Sequence, residues 1–281
     1  MTLDKALIAR SFSQAASTYD AAALLQQEVA ERVFERLSIM RITPETILDV
    51  GCGTGFCSRR LRQEFTRAKV TGVDIAPGMI EQANKKQGLF KKVKYLVADA
   101  DELPFEANQF DVVFSNLTFQ WMPDLNHTFK ELNRVLKPGG LLIFSSLGPD
   151  TLMELRQSWR QVDQAVHVNE FLDMHIVGDM VFNAKFDNTV MDRDVITLTY
   201  QTMLGLMRDL KAIGAHNIDS SRPRGMLGKE KFNRLKDEYE KFRWTGGELP
   251  ATYEVVYGHA WKKQGKTEPD YHTYEVKLQS P

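Results

Sequence analysis

The seven residues Asp49-Val50-Gly51-Cys52-Gly53-Thr54-Gly55 carry the sharpest chemical signal in this chain of 281 residues. They follow a short β-rich run, Thr46 to Val50, and open onto a stretch with helical patterning. Glycines at such a junction let the backbone approach a ligand closely, and the first turn of a helix offers unpaired N–H groups. A dinucleotide fingerprint would place its third glycine at position 56, where Phe56 stands. A phosphate-binding P-loop would need Gly-Lys-Ser or Gly-Lys-Thr, which does not follow. What stands is an acid ahead of three alternate glycines. Cys52 lacks the basic neighbour that would make its thiol a nucleophile, so it reads as a small packing residue. Cys52 and Cys57 are the only cysteines, and His127, His167, His175 and His216 fall at no metal-ligand spacing, so no metal is expected.

A loop of this kind needs a strand before it and a helix after it, and the surrounding pattern supplies both repeatedly. Residues Ala15 to Leu37 carry an apolar stripe at Leu25, Val29, Val33 and Leu37 and predict a first helix. Strands are expected at Thr46 to Val50, Lys69 to Val73, Val93 to Val97, Phe110 to Ser115 and Leu141 to Ser146, with helices at Gly78 to Gln87 and Leu125 to Leu136. Lys137-Pro138-Gly139-Gly140 should stop the last of these helices. Strands alternating with helices imply an α/β fold with a mostly parallel sheet covered on both faces. Beyond Gly148 the alternation breaks. Thr151 to Val166 and Val168 to Phe182 look helical, and Asp187 to Tyr200 looks extended, so the helical pair reads as an insertion before a sixth strand. Helices at Met203 to Ile213 and Lys229 to Arg243 and a strand at Tyr253 to Trp261 complete the chain.

Composition excludes several classes of function. The 36 Lys plus Arg against 37 Asp plus Glu leave a net charge of -1, without the basic surplus that nucleic-acid binding favours. The apolar runs fall far short of the ~20 residues of a membrane span. The amino terminus has no apolar core of a signal peptide, and two cysteines suit a reducing compartment; a cytoplasmic protein is expected, with its amino terminus part of the mature fold.

The Asp-x-Gly-x-Gly-x-Gly pattern resembles the S-adenosylmethionine site of the class I methyltransferases. That resemblance implies a Rossmann-like, seven-stranded sheet with S-adenosylmethionine as methyl donor, S-adenosylhomocysteine as product and no metal. It assigns Asp49, Gly51, Cys52, Gly53 and Gly55 to the loop against the cofactor. Asp74, 19 residues beyond Gly55, would take the two ribose hydroxyls with its carboxylate, both being donors. Ile75 and Met79 would flank it, and Asp99 would accept from the adenine amino group while Ala100 supplies a backbone N–H. Asn116, after the fourth strand, would approach the methionine end.

The second half narrows the resemblance. Ser115 to Trp121, the Gly-Pro-Asp-Thr-Leu run from Gly148, the segment with His167-Val168-Asn169, the run Leu210 to Asn217 and Leu249 to Trp261 resemble the malonyl-acyl-carrier-protein O-methyltransferases of biotin synthesis over nearly the whole chain. This implies methyl-ester formation on the free carboxyl of a malonyl thioester, carried on an acyl carrier protein or coenzyme A. A carboxylate of pKa about 4 is already ionised near neutral pH, so no general base is required. Tyr19, Gln120 and Trp121 are the candidates for positioning the acceptor, and Arg193 is a candidate partner for its carboxylate. The expected organisation is an amino-terminal cover (1–40), a cofactor core (41–148), a helical insertion acting as lid (149–186) and a carboxyl-terminal part (187–281). Eight basic residues against four acids between Arg222 and Arg243, including Lys231, Arg234 and Lys236, mark an expected docking face for an acidic carrier. A methyltransferase of another small acid or a quinone-type substrate would share every cofactor landmark. A nucleic-acid methyltransferase is less attractive, since Ser115-Asn116-Leu117-Thr118 is not the Asn-Pro-Pro-Tyr type that holds a flipped base. The oligomeric state stays open.

Overall fold

The computed structural model describes residues 4–88, 92–215 and 228–264. Three helices lead in: α1 (Lys5–Ala15), α2 (Tyr19–Ala22) and α3 (Leu24–Ser38). Then follow β1 (Thr46–Val50), α4 (Phe56–Glu64), β2 (Lys69–Asp74), α5 (Pro77–Lys86), β3 (Lys94–Val97) and β4 (Phe110–Ser115). A short 3-10 helix (Phe119–Trp121) precedes α6 (Leu125–Val135), β5 (Leu136–Leu147), α7 (Met153–Arg160) and α8 (Met174–Asn183). The chain closes with β6 (Phe186–Tyr200), α9 (Met203–Ala212), α10 (Lys229–Glu240) and β7 (Leu249–Lys262).

One seven-stranded sheet runs β3-β2-β1-β4-β5-β7-β6. The first five strands of that order pair in parallel, and β7 is antiparallel to both of its neighbours. Strand order reverses at β1, which pairs with β2 on one side and β4 on the other. Crossover helices leaving β1 and β4 therefore go to opposite sides, and a crevice opens at their carboxyl ends. The strands are apolar on both sides because both faces are covered. Ile47, Val112, Phe114, Leu141 and Ile143 pack toward α3, α4, α5, α7, α9 and α10. Leu48, Val50, Leu142 and Phe144 pack toward α6 and α8. On that second side Phe119, Phe129 and Phe144 meet with ring centroids 5.1 to 5.6 Å apart, anchoring the 3-10 helix that carries Gln120 and Trp121. Burying each such ring contributes roughly 1.5–3 kcal/mol.

Several elements differ from the sequence expectation. The single helix expected over Ala15 to Leu37 is broken at Ala16–Thr18 and Ala23, because Thr18 Oγ1 turns to donate to Ala212 O at 3.0 Å and Ala23 leaves helical geometry. The additional helix α1 was readable: Asp4 caps it, accepting from Ala6 N at 2.9 Å, and Ile8, Ser11 and Ala15 form its buried stripe. Lys137 to Gly140 do follow the end of α6 at Val135, but they already belong to β5, with Gly139 at φ +75° and a register shift opposite Phe110/Val112. β7 begins at Leu249, so Pro250 lies in it, opposite Thr199.

The insertion is also smaller in helix than its pattern suggested. Residues 161–173 are irregular between α7 and α8, and the two helices pack on opposite faces of the sheet. α8 buries Val177 and Val181 beside α6 and β6 rather than over the crevice, which corrects the expectation that both helices cover one channel.

Candidate functional site

At the carboxyl end of β1 the chain turns through three left-handed glycines into α4. Gly51 N and Cys52 N both donate to Val73 O, at 2.8 and 2.9 Å, so the loop is stitched to the end of β2. A side chain on Gly51 would meet Thr118 Oγ1 at 2.1 Å in a backbone with φ +70°. At Gly53 an added Cβ would meet nothing within 4 Å, so this α-carbon faces open space in the crevice. Gly55 serves the turn: it precedes α4, lies under the Tyr95 hydroxyl and lines neither the crevice nor the recess beside it.

Three carboxylates surround this turn in different states. Asp49 is buried beneath the loop and accepts from Ser58 Oγ at 2.5 Å; burial raises its pKa to about 7. Asp74 ends β2, where Oδ2 accepts from Gly53 N at 2.9 Å and Oδ1 from Ala76 N at 2.8 Å. Burial raises its pKa to about 6 against the pull of these two donors, which leaves it mostly ionised at neutral pH with lone pairs free toward the crevice. Asp99 follows β3 and pairs through Oδ2 with Lys5 Nζ at 2.6 Å; Lys5 also meets Asp101 at 2.5 Å. The Cys52 thiol is buried and its pKa is pushed up chiefly by burial, in keeping with a packing role.

A first chamber runs along the strand ends. Gly51, Gly53, Asp74, Ile75, Met79, Asp99, Ala100 and Asn116 line it, while Asp49 and Cys52 line a small adjoining recess behind the loop. Asn116 is held from both sides: Nδ2 donates to Gln26 O at 3.0 Å and Oδ1 accepts from Ser145 Oγ at 2.8 Å. A second, larger chamber opens beyond it, lined by Gln120, α7, the segment 167–171 and α9. The two chambers share Phe12, Tyr19, Leu117 and Trp121. Phe12 stands edge-on to Trp121, centroid to centroid 5.3 Å, and Gln120 is fixed by donating to Leu117 O at 2.7 Å. Burial raises the pKa of the Tyr19 phenol, so it is a neutral donor at this junction. The walls differ in charge. Asp74 and Asp99 line the first chamber, whereas no carboxylate among the described residues lines the second, which has Lys211 and His167.

Sequence reasoning expected an amino-terminal cover but named none of the α1 residues that reach the site. Lys5, Ile8 and Phe12 line the first chamber, and α1 is tied to α5 through Ser13 Oγ and to the end of α9 through Ser11 Oγ, which donates to Gly214 O at 3.0 Å. Trp159, His167 and Asn169 of the second chamber were not singled out as site residues, because their approach depends on how α7 packs. Arg193 does not reach either chamber; it lies on β6 and pairs with Glu254 at 3.3 Å. The basic helix is also less free than its charge suggests. Lys231 pairs with Asp163 at 3.0 Å, Arg234 donates to Gln161 O at 2.7 Å, and Lys241 and Arg243 pair within the helix end, while Arg222, Arg224, His216 and Asn217 lie outside the described residues. Among the described residues no group of three His, Cys, Asp or Glu is placed to hold a metal, and no helix is long and apolar enough to cross a membrane.

Residues 48–144 match the family model described as "Methyltransferase domain". The chain is 48% identical to the malonyl-[acyl-carrier protein] O-methyltransferase of Gallionella capsiferriformans, over 95% of this chain and 94% of that one. It is 47% identical to the protein of the same name from Methylovorus sp., over 94% and 91%. In fold it is similar to phosphoethanolamine N-methyltransferase 2 of Haemonchus contortus, solved in complex with S-adenosyl-L-methionine, with a TM-score of 0.55 and 21% identity over 90% of this chain and 57% of that one. A glycine turn at the strand-order reversal, two linked chambers and identity of this extent along nearly the whole length converge on one conclusion: this S-adenosylmethionine-dependent class I methyltransferase belongs to the malonyl-[acyl-carrier protein] O-methyltransferase family.

Proposed function

We propose that the chain transfers a methyl group from S-adenosylmethionine to the free carboxyl of a malonyl thioester on an acyl carrier protein, giving the methyl ester and S-adenosylhomocysteine in the cytoplasm and supplying the pimeloyl route to biotin. The observation that carries this reading is the charge difference across the junction: acids line the first chamber and none among the described residues lines the second. A cationic donor is favoured on one side and an anionic acceptor on the other, and Phe12, Tyr19, Leu117 and Trp121 stand where the two would meet.

The first chamber fits an adenosine-bearing cofactor. Asp74 keeps its acceptor capacity toward ribose hydroxyls after using one lone pair on each oxygen, and the open space at Gly53 leaves room for close backbone approach. Ile75 and Met79 pack the sugar and ring. Asp99 and the Ala100 N–H receive the adenine edge, with Lys5 holding the Asp99 carboxylate in place. Gly51, Asn116 and the recess bounded by Asp49 and Cys52 take the methionine end. When bound, this cofactor supplies an electrophilic methyl on a sulfonium.

The rest of the chemistry is alignment. The acceptor carboxylate is ionised near neutral pH, and the junction contributes the neutral Tyr19 phenol as a donor and apolar walls that exclude water. The Trp121 ring, which lines both chambers, would wall the cationic sulfur of the cofactor. Orienting two bound reactants in this way contributes up to ~7–11 kcal/mol. Incubating a malonyl carrier protein with the enzyme and S-adenosylmethionine should yield a carrier heavier by one methyl group in intact mass spectrometry, and malonyl-coenzyme A in parallel reports which thioester is preferred. Methylation of free small acids or quinols in place of either thioester would overturn the reading.

A further inference from the structure

Among the described residues that line the two chambers, three side chains carry or can take a positive charge: Lys5, His167 and Lys211. Lys5 is held by Asp99 and Asp101, at 2.6 and 2.5 Å, and His167 by Asp163, at 2.7 Å. The Lys211 ammonium makes no hydrogen bond or ion pair with any described residue. Its place is set by the end of α9, where Met207, Leu210 and Lys211 line the second chamber from one face of the helix. The residues that follow are fastened to the amino-terminal helices. Thr18 Oγ1 donates to Ala212 O and Ser11 Oγ to Gly214 O, both at 3.0 Å. Thr18 and Ser11 are the chain neighbours of Tyr19 and Phe12, which both chambers share. Lys211 therefore stands beside the junction, and it is exposed, so its ammonium is reachable on a flexible four-carbon stem.

An anionic acceptor needs such a group. A carboxylate that leaves water for walls built of Leu117, Trp121, Leu152, Leu155 and Met207 loses its hydration, and the single Tyr19 hydroxyl returns one hydrogen bond at most. An ammonium offers three donors and the opposite charge. We infer that Lys211 pairs with the free carboxylate of the acceptor at the chamber junction and so selects an anionic acceptor end. It takes the role first expected of Arg193, which pairs with Glu254 instead. This inference rests on the proposed malonyl-thioester acceptor. Methylation removes the charge that Lys211 holds, because the attacking oxygen becomes part of a neutral ester. The same lysine therefore retains the acid and lets the ester go.

The test uses the malonyl thioester of N-acetylcysteamine, whose only charge is its carboxylate. Lys211→Met should raise its KM roughly fivefold to tenfold with kcat within about twofold of the wild type, between the effect of an exposed ion pair and that of a buried charged hydrogen bond. Lys211→Arg should restore most of the loss, and S-adenosylmethionine affinity should match the wild type in both variants. Inhibition by the corresponding methyl ester, which carries no charge, should be unchanged in Lys211→Met. A merely structural lysine would weaken acid and ester alike. An unchanged KM for the acid in Lys211→Met overturns the inference. So does a loss seen only with malonyl-coenzyme A, which would mark a phosphate contact, or only with the malonyl carrier protein, which would mark a docking contact. If the variant fails to fold, the wild type decides: the acid should bind more tightly than its methyl ester, and equal affinity overturns the inference. Failure of the wild type to methylate any malonyl thioester would instead overturn the acceptor reading, and this inference with it.

Discussion

The two chambers share a wall but are built by different means. The first is made at consecutive strand ends: the turn after β1, Asp74 ending β2, Asp99 after β3 and Asn116 after β4, each within a few residues of a strand. Its loop contacts run strand to strand, as in Gly53 N to Asp74, and helices add Lys5 to Asp99 and the Gln26 carbonyl to Asn116. The second draws on residues from Phe12 to Tyr253, carried on α1, α2, α3, the 3-10 helix, α7, α9 and β7. Strand ends supply most of the first, with α1 closing over it, whereas helices supply most of the second, with Leu147 of β5 and Tyr253 of β7 at its base. A site set by backbone pairing tolerates little variation, and one set by helix packing can be reshaped by altering a few side chains.

The sharpest way to separate the chambers is Asp74→Ala. The ribose hydroxyls would lose a charged acceptor, and Gly53 N and Ala76 N would lose theirs, so S-adenosylmethionine affinity should fall tenfold to a hundredfold at roughly 1.5–3 kcal/mol. Acceptor KM at saturating cofactor should stay put. Calorimetry and steady-state kinetics on the same preparation check this, and an equal rise in acceptor KM would show that the chambers are not independent.

Asp49 tests whether the loop is strained by its own buried acid. Its carboxyl titrates near 3.8 when unfolded and at about 7 in the fold, so between those values the native state holds a proton that the unfolded state has lost. Stability therefore falls as pH rises through that window. Asp49→Asn keeps an acceptor for Ser58 and removes the titration. The variant should match the wild type near pH 4 and exceed it by up to about 4 kcal/mol well above pH 7, read from urea unfolding at both pH values. A constant difference across pH would contradict the assignment.

The smallest effect is expected on the acceptor side. Because Lys231 holds Asp163, which in turn holds His167 at the chamber wall, Lys231→Ala should slow malonyl-carrier and malonyl-coenzyme A alike, by no more than about fivefold, with cofactor affinity unchanged. A loss confined to the carrier would restore the basic helix as a docking face.

Much of this was legible before any coordinates. The β-rich apolar runs of β1 and β4 and the glycine run express local rules, so the sheet could be read in order, and the resemblance to the class I methyltransferases picked out the acids after the strands that line the first chamber. The reading failed where geometry is non-local. Ala15 to Leu37 carries one continuous stripe, yet Thr18 is drawn toward Ala212, 194 residues away, and the helix breaks. Val168 to Phe182 has helical composition, but its first part is irregular and α8 leaves for the opposite face, where Val177 and Val181 find α6.

The amino-acid sequence alone determined the α/β alternation, the glycine turn at the end of β1 and the appearance of Asp74, Asp99 and Asn116 at successive strand ends, because each follows from spacing along a single strand or turn. Tertiary structure alone decided that Lys5 would hold Asp99, that Arg193 would turn to Glu254 instead of the site, and that Lys211 would line the second chamber beside the junction. Those outcomes depend on which helix faces close on one another. That is a matter of packing between distant segments, and no periodicity along the chain encodes it.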